Sequence, residues 1–152
     1  MATSIREQIL VNLKSRFSSV QPGVDGHTVE WLLVERAPIN NSNIRNGEVI
    51  SILDAEEVKT PRIAHMECNL TVVTEFWYKM KQGDEGSTEA NRLLADVQKT
   101  MREDIYSNGL TYNIIELRNS LDVDSVNDRL VNGVIFWQVN YRHKLNDPTQ
   151  LC

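Results

Sequence analysis

Apolar residues recur at Ile5, Ile9, Leu10, Leu13 and Phe17, the spacing of one helical stripe. Ser4 is placed to cap that helix, with Glu7 three residues later as the second half of a capping box. Gln21-Pro22-Gly23 ends it. Thr28–Pro38 is rich in β-branched and aromatic residues and predicts a strand. A polar loop, Ile39–Glu48, leads to a second strand over Glu48–Leu53, closed by the acidic Asp54-Ala55-Glu56-Glu57. Arg62–Met80 then alternates: Met66, Cys68, Leu70, Val72, Phe76 and Tyr78 share one side, and His65, Glu67, Asn69 and Thr71 the other. This is the period of a strand with one wet face. Val73 and Trp77 interrupt the polar side. At about 3.3 Å per residue the run would span on the order of 60 Å, so it must bend, bulge or project past the core.

A second helix is predicted from a Ser87 cap along Ala90, Leu93, Leu94, Val97, Met101 and Ile105, ending at Asn108-Gly109. Thr111–Leu117 predicts a strand. The stretch after it, through Asp122–Asp128, reads either as an irregular excursion or as a short acidic hairpin turning near Val126-Asn127. The last strand runs from Val134 to Arg142, apolar on both faces at first. Arg142, His143 and Lys144 then continue into water, and Asn146-Asp147-Pro148 turns the chain. Strands that follow one another without intervening helices favour antiparallel pairing. The expected fold is therefore α+β: a mixed or mainly antiparallel sheet of about five strands with two main helices packed against it.

The length of 152 residues fits one domain over 1–152, at roughly 100–200 residues per domain. Hydrophobic content of 41% and charged content of 24% are ordinary for a soluble domain. No stretch approaches the roughly 18 apolar residues of a membrane-spanning helix, and the first residues lack the apolar centre of a signal peptide. The net charge of −5 argues against a surface that grips nucleic acid. Two cysteines, Cys68 and Cys152, make no disulfide framework.

Candidate chemistry is sparse. His65-Met66-Glu67 opens a zinc-deaminase pattern, but the later Pro-Cys-x-x-Cys is missing, and a solvated strand face is the better reading. Asp122–Asp128 has alternating acids without the glycine and glutamate of a calcium loop. Cys68 with His27 or His143 would make a nucleophile pair only if the fold brought them together. No metal, cofactor or catalytic residue is assigned. Basic residues at the end of an acidic chain offer a docking spot for an acidic neighbour.

The helix Ile5–Phe17, the lone central helix Thr88–Ile105 and the final aromatic strand running into Tyr141, Arg142, Asp147 and Pro148 together resemble the tail terminator proteins of long-tailed bacteriophages, also called tail-completion or neck proteins. The resemblance covers nearly the whole chain and lies in element order, length and that final strand. Residues 122–128 depart from it. It implies a non-enzymatic virion protein with no catalytic residues. Such a protein forms a hexameric ring at the tail–neck junction, assembled in the host cytoplasm. Its partners would be its own copies, the tail tube protein and the head-completion proteins, with no membrane. Genome DNA would pass through unheld, and an acidic chain suits that because phosphates are repelled. Phe76, Trp77 and Tyr78 are the candidate subunit-interface residues, since aromatics favour interface cores. Ile39, Ile44 and Arg45 in the first loop, Asp122 and Asp124 in the acidic segment, and Arg142 and His143 are candidate docking residues. The competing readings are a monomeric or dimeric protein-binding adaptor, and an α+β enzyme in which His65, Glu67 or His143 moves a proton.

Overall fold

The computed structural model describes residues 2–40, 44, 47–124 and 129–152. The order is α1 (Ile5–Ser18), β1 (Trp31–Glu35), β2 (Glu48–Pro61), β3 (His65–Lys79), α2 (Gly86–Arg102), β4 (Asn113–Asp124), β5 (Leu130–Lys144) and β6 (Asp147–Leu151). This is the α+β arrangement the periodicity predicts, with a sixth, short strand added. The sheet runs β1-β2-β3-β5-β4, and β6 also pairs with β5. β1 is parallel to β2 and every other pairing is antiparallel.

Both helices pack on one face of the sheet. Ile9, Leu10, Leu13 and Phe17 of α1 and Leu93, Val97 and Met101 of α2 are fully buried there. They meet Leu70, Val72 and Phe76 of β3 and Ile135, Trp137 and Val139 of β5. The two polar groups among them are paired: the indole N–H of Trp137 donates to Thr74 Oγ1 at 2.9 Å. Arg16 ties the helices together by donating to the carbonyls of Thr100 (3.3 Å) and Met101 (2.9 Å), which the last turn of α2 leaves open.

Several boundaries differ from the sequence reading, each for a physical reason. Ser4 does cap α1, accepting the Glu7 N–H at 3.1 Å, but the Glu7 carboxylate pairs with Arg36 rather than closing the box. α2 starts at Gly86, before Ser87, with no side-chain cap, and ends at Arg102. Beyond it Asp104 accepts the N–H groups of Tyr106 (3.0 Å) and Asn108 (2.8 Å), so the chain turns at 107–109 instead of continuing the helix. β2 does not stop at Leu53. It passes a bulge between Asp54 and Glu57 and pairs with β3 as far as Pro61 opposite Met66. Its outer part lies in water, where main-chain pairing needs no apolar rhythm. Of the 122–128 segment, residues 122–124 end β4, which pairs antiparallel with β5 from Leu130 as the hairpin reading expects; residues 125–128, with the turn expected near Val126-Asn127, lie outside the described residues. The turn expected at Asn146-Asp147-Pro148 falls at residues 145–146, and Asp147 already opens β6.

Of the glycines, Gly133 leaves the least room for a side chain. It lies opposite Phe76 in the β3–β5 pairing, and a Cβ there would fall inside the space of the Phe76 ring. Phe76 is itself fully buried and has no room to retreat. Gly133→Ala is expected to destabilise the protein by about 1–3 kcal/mol, the usual cost of overpacking. Thermal or urea unfolding checks it, and an unchanged midpoint would show that the core yields at this place.

Candidate functional site: an open sheet face and a projecting hairpin

On the face of the sheet away from the helices the described residues form no second layer of helix or strand, and Ile39 and Ile44 cover only its Trp77 end. Strand register assigns its rows. At one end Val49, Trp77, Asn132 and Asp122 lie side by side across β2, β3, β5 and β4. The middle row is Leu53, Val73, Phe136 and Arg118. At the far end Thr60, Glu67 and Arg142 share a row. Val73, Val134 and Phe136 are half-buried. The guanidinium of Arg118 stacks 3.7 Å from the Phe136 ring centroid, a cation–π contact on the open face. Sequence reading named none of Leu53, Val73, Phe136 and Arg118 as site residues. Its signal for them was the apolar interruption at Val73 and the two-sided apolar start of β5.

Of the expected interface aromatics, Phe76 (0% exposed) and Tyr78 (5%) face the helices inside the chain's own core, and Trp77 faces the other way. Trp77 is half-buried there beside Ile39, Ile44, Val49, Leu33 and Leu130. Ile39 and Ile44 are themselves buried in this second cluster. Arg45 lies outside the described residues. Asp122 is exposed and Asp124 half-buried at the outer end of β4. These two share the Trp77 end of the sheet, whereas Arg142 and His143 sit at the opposite end.

His143 does not continue into water as the sequence reading expected: it is 3% exposed. β5 keeps its alternation to Lys144, which turns His143 to the helix side, and β6 pairs along it. Its Nδ1 meets the Lys144 carbonyl at 2.6 Å and must donate there, so Nε2 accepts from Lys59 Nζ at 2.9 Å. Next to it, Tyr141 donates to Glu57 at 2.5 Å. Burial, with that carboxylate beside it, pushes the Tyr141 hydroxyl far above its ordinary pKa. Cys68 lies opposite Tyr141, and burial pushes its thiol up as well. A buried thiol held in its neutral form is a poor nucleophile. His27 is elsewhere, with Nδ1 3.0 Å from buried Asp96, whose other oxygen accepts the Thr28 N–H at 2.9 Å. His65 and Glu67 share the open face, where the hydrogen bond from Arg62 holds the Glu67 carboxyl below its usual pKa. Among the described residues no group of three or more His, Cys, Asp or Glu is placed to hold a metal ion. No helix there is long and apolar enough to cross a membrane.

The second outward feature is the β2–β3 hairpin. Arg6 of α1 reaches Asp54 at 2.6 Å, and from Val58 to Ala64 every residue is exposed. Val58 keeps 54% of its surface in water and Ile63, at the tip, all of it. A shallow depression of about 700 Å³ at the tip is lined by Pro61, Arg62, Ile63, Ala64, His65 and Glu67.

No protein-family model matches the chain, and no curated protein sequence matches it. Among solved structures, a chain from the virion of a native gene transfer agent particle is similar, with a TM-score of 0.40 and 7% identity over 91% of this chain and 92% of that one.

Tyr78 is fixed from below by Asp84, which accepts its hydroxyl at 2.6 Å and the Lys81 N–H at 2.7 Å. The hydrogen bond from Tyr78 holds the Asp84 carboxyl below its ordinary pKa. A carboxyl depressed in the folded state stabilises above its unfolded pKa of about 4, and that contribution is lost as pH falls through the folded value. Asp84→Asn is therefore expected to lower the melting temperature at neutral pH, with the gap to wild type closing in acid. Melting curves across pH test this; a gap of constant size would remove the Asp84 charge from the account.

Proposed function

We propose that this chain is a structural subunit of a phage-like particle that closes the tail tube and joins it to the head-completion proteins. In this reading copies of the chain form a ring, six by the family resemblance, around a passage for genome DNA. The observation that carries the reading is the β2–β3 hairpin. Its outer part is exposed from Val58 to Ala64, and it presents Val58 and Ile63 to water. An arm of this kind gains its buried surface from another molecule. The open sheet face supports the same reading, because strand register lines up a half-buried apolar row at Leu53, Val73 and Phe136 there. Element order and the terminal Tyr141-Arg142 and Asp147-Pro148 supply the family likeness. The negative net charge suits a passage that lets phosphates slide.

A ring needs two different patches on each subunit, repeated around a closed rotation. The hairpin tip is one such patch on this reading. Ile63→Asp is expected to leave far-ultraviolet circular dichroism and melting unchanged, since the side chain makes no internal contact surface. Light scattering on a sizing column is then expected to show a multi-subunit species for wild type and its loss in the variant. Wild type that stays monomeric at every concentration, and also fails to stop polymerisation of a tail tube protein, would overturn the proposal.

A further inference from the structure

β4 is an edge strand of twelve residues with one side bonded to β5 and the other open. Among the described residues, the contacts that close that open edge lie at its start. The Ile114 N–H donates to Asn113 Oδ1 at 3.0 Å, and the Ile114 carbonyl accepts from Arg102. In an antiparallel ladder the residues whose side chains share one face also share the outward direction of their N–H and C=O groups. Ile114 opposes Val139 on the helix side; beyond the bulge between Glu116 and Arg118, so do Asn119, Leu121 and Val123 opposite Ile135, Gly133 and Val131. Their main-chain groups therefore point out along the edge. Residues 117–120 are exposed on both faces, Leu117 by 52%, and Val123 by 37%. β4 contains neither lysine nor proline, the usual means of blunting an edge.

We propose that β4 pairs, antiparallel and edge to edge, with β4 of a second copy of this chain, about a two-fold axis at Ser120. The strand is complementary to itself in this register. Asn119 meets Leu121 of the other copy twice over, and each meeting joins outward donors to outward acceptors. Arg118 meets Asp122 of the other copy, also twice, both on the open face. Arg118 is already held on that face by the Phe136 ring, and Asp122 is exposed. Opposite charges directly across a strand pair favour this register over its neighbours. Leu117 and Val123 of the other copy cover each other at the ends. The contact uses the same patch on both copies, so it stops at two and differs from the head-to-tail contact of a ring. It does not rest on the ring reading.

The test uses the full chain and sedimentation or light scattering over a concentration series. Wild type is expected to dimerise. Asn119→Pro removes an outward N–H without breaking a bond to β5, and proline is tolerated on such an edge. It should weaken association by about tenfold or more with unchanged melting. Arg118→Asp and Asp122→Arg should each weaken it alone. An equimolar mixture of the two, and the double variant, should restore it, because both recreate two opposite-charge pairs. The restoration keeps the test valid even if Asn119→Pro folds poorly. Monomeric wild type, association unaffected by these changes, or no restoration in the mixture would each overturn the pairing. Association lost in Ile63→Asp but unchanged in Asn119→Pro would leave the ring reading standing and overturn this one.

Discussion

Everything in this molecule hangs on the pairing of β3 with β5. It runs from His65 opposite Lys144 to Lys79 opposite Leu130 with no shift of register. Side chains alternate with a period of two, so a slip of one residue would put Phe76 and Trp137 on opposite faces of the sheet, and if β3 turned over Glu67 and Glu75 would come under the helices. The helices have only one apolar face on which to settle. Glycine at 133 and the ring of Phe76 occupy one space between them, which fixes that register sterically as well as by hydrogen bonding.

The irregularities lie one strand further out. β2 is bulged between Asp54 and Glu57, and β4 between Glu116 and Arg118, each beside an unbroken central strand. Bulges raise local twist and bend the bulged strand. The central pair thus stays regular under the helices while the flanking strands curl. Residues 58–61 of β2, beyond its bulge, and residues 117–120 of β4, at its bulge, are exposed stretches of these two strands.

Several polar groups inside the chain are matched to one another, although among the described residues Ser51 Oγ and the indole N–H groups of Trp31 and Trp77 have no partner. His27 faces Asp96, Tyr141 faces Glu57, and Arg16 closes the end of α2. Such closed pairs hold shape, because a buried polar group without a partner is costly. What turns outward is of another kind: a fully exposed isoleucine on a hairpin tip, a half-buried apolar row on an uncovered sheet, and a strand edge with its main-chain groups in the open. On the proposed reading, a second protein surface completes these features.

The periodic parts were legible in the chain. The α1 stripe, the alternation of β3 and the α2 stripe each state their burial in spacing alone, because one side of each element must leave water. For the stretch between β4 and β5 a hairpin was one of two readings left open. The outer half of β2 and the end of α2 were not legible. There the backbone is held by a neighbouring strand or by Asp104 and Arg16, and no apolar rhythm is required. For the candidate site, the sequence located an apolar anomaly at Val73 and Trp77 but not its neighbours, since Leu53, Phe136 and Arg118 join it only through strand register. It placed His143 in water, whereas the continued pairing of β5 turned it inward. Sequence by itself determined which residues must leave water and with what period. The tertiary structure alone decided which strand lies beside which, and so which faces and edges remain open, because pairing partners far apart in the chain are chosen by packing and register that no local pattern records.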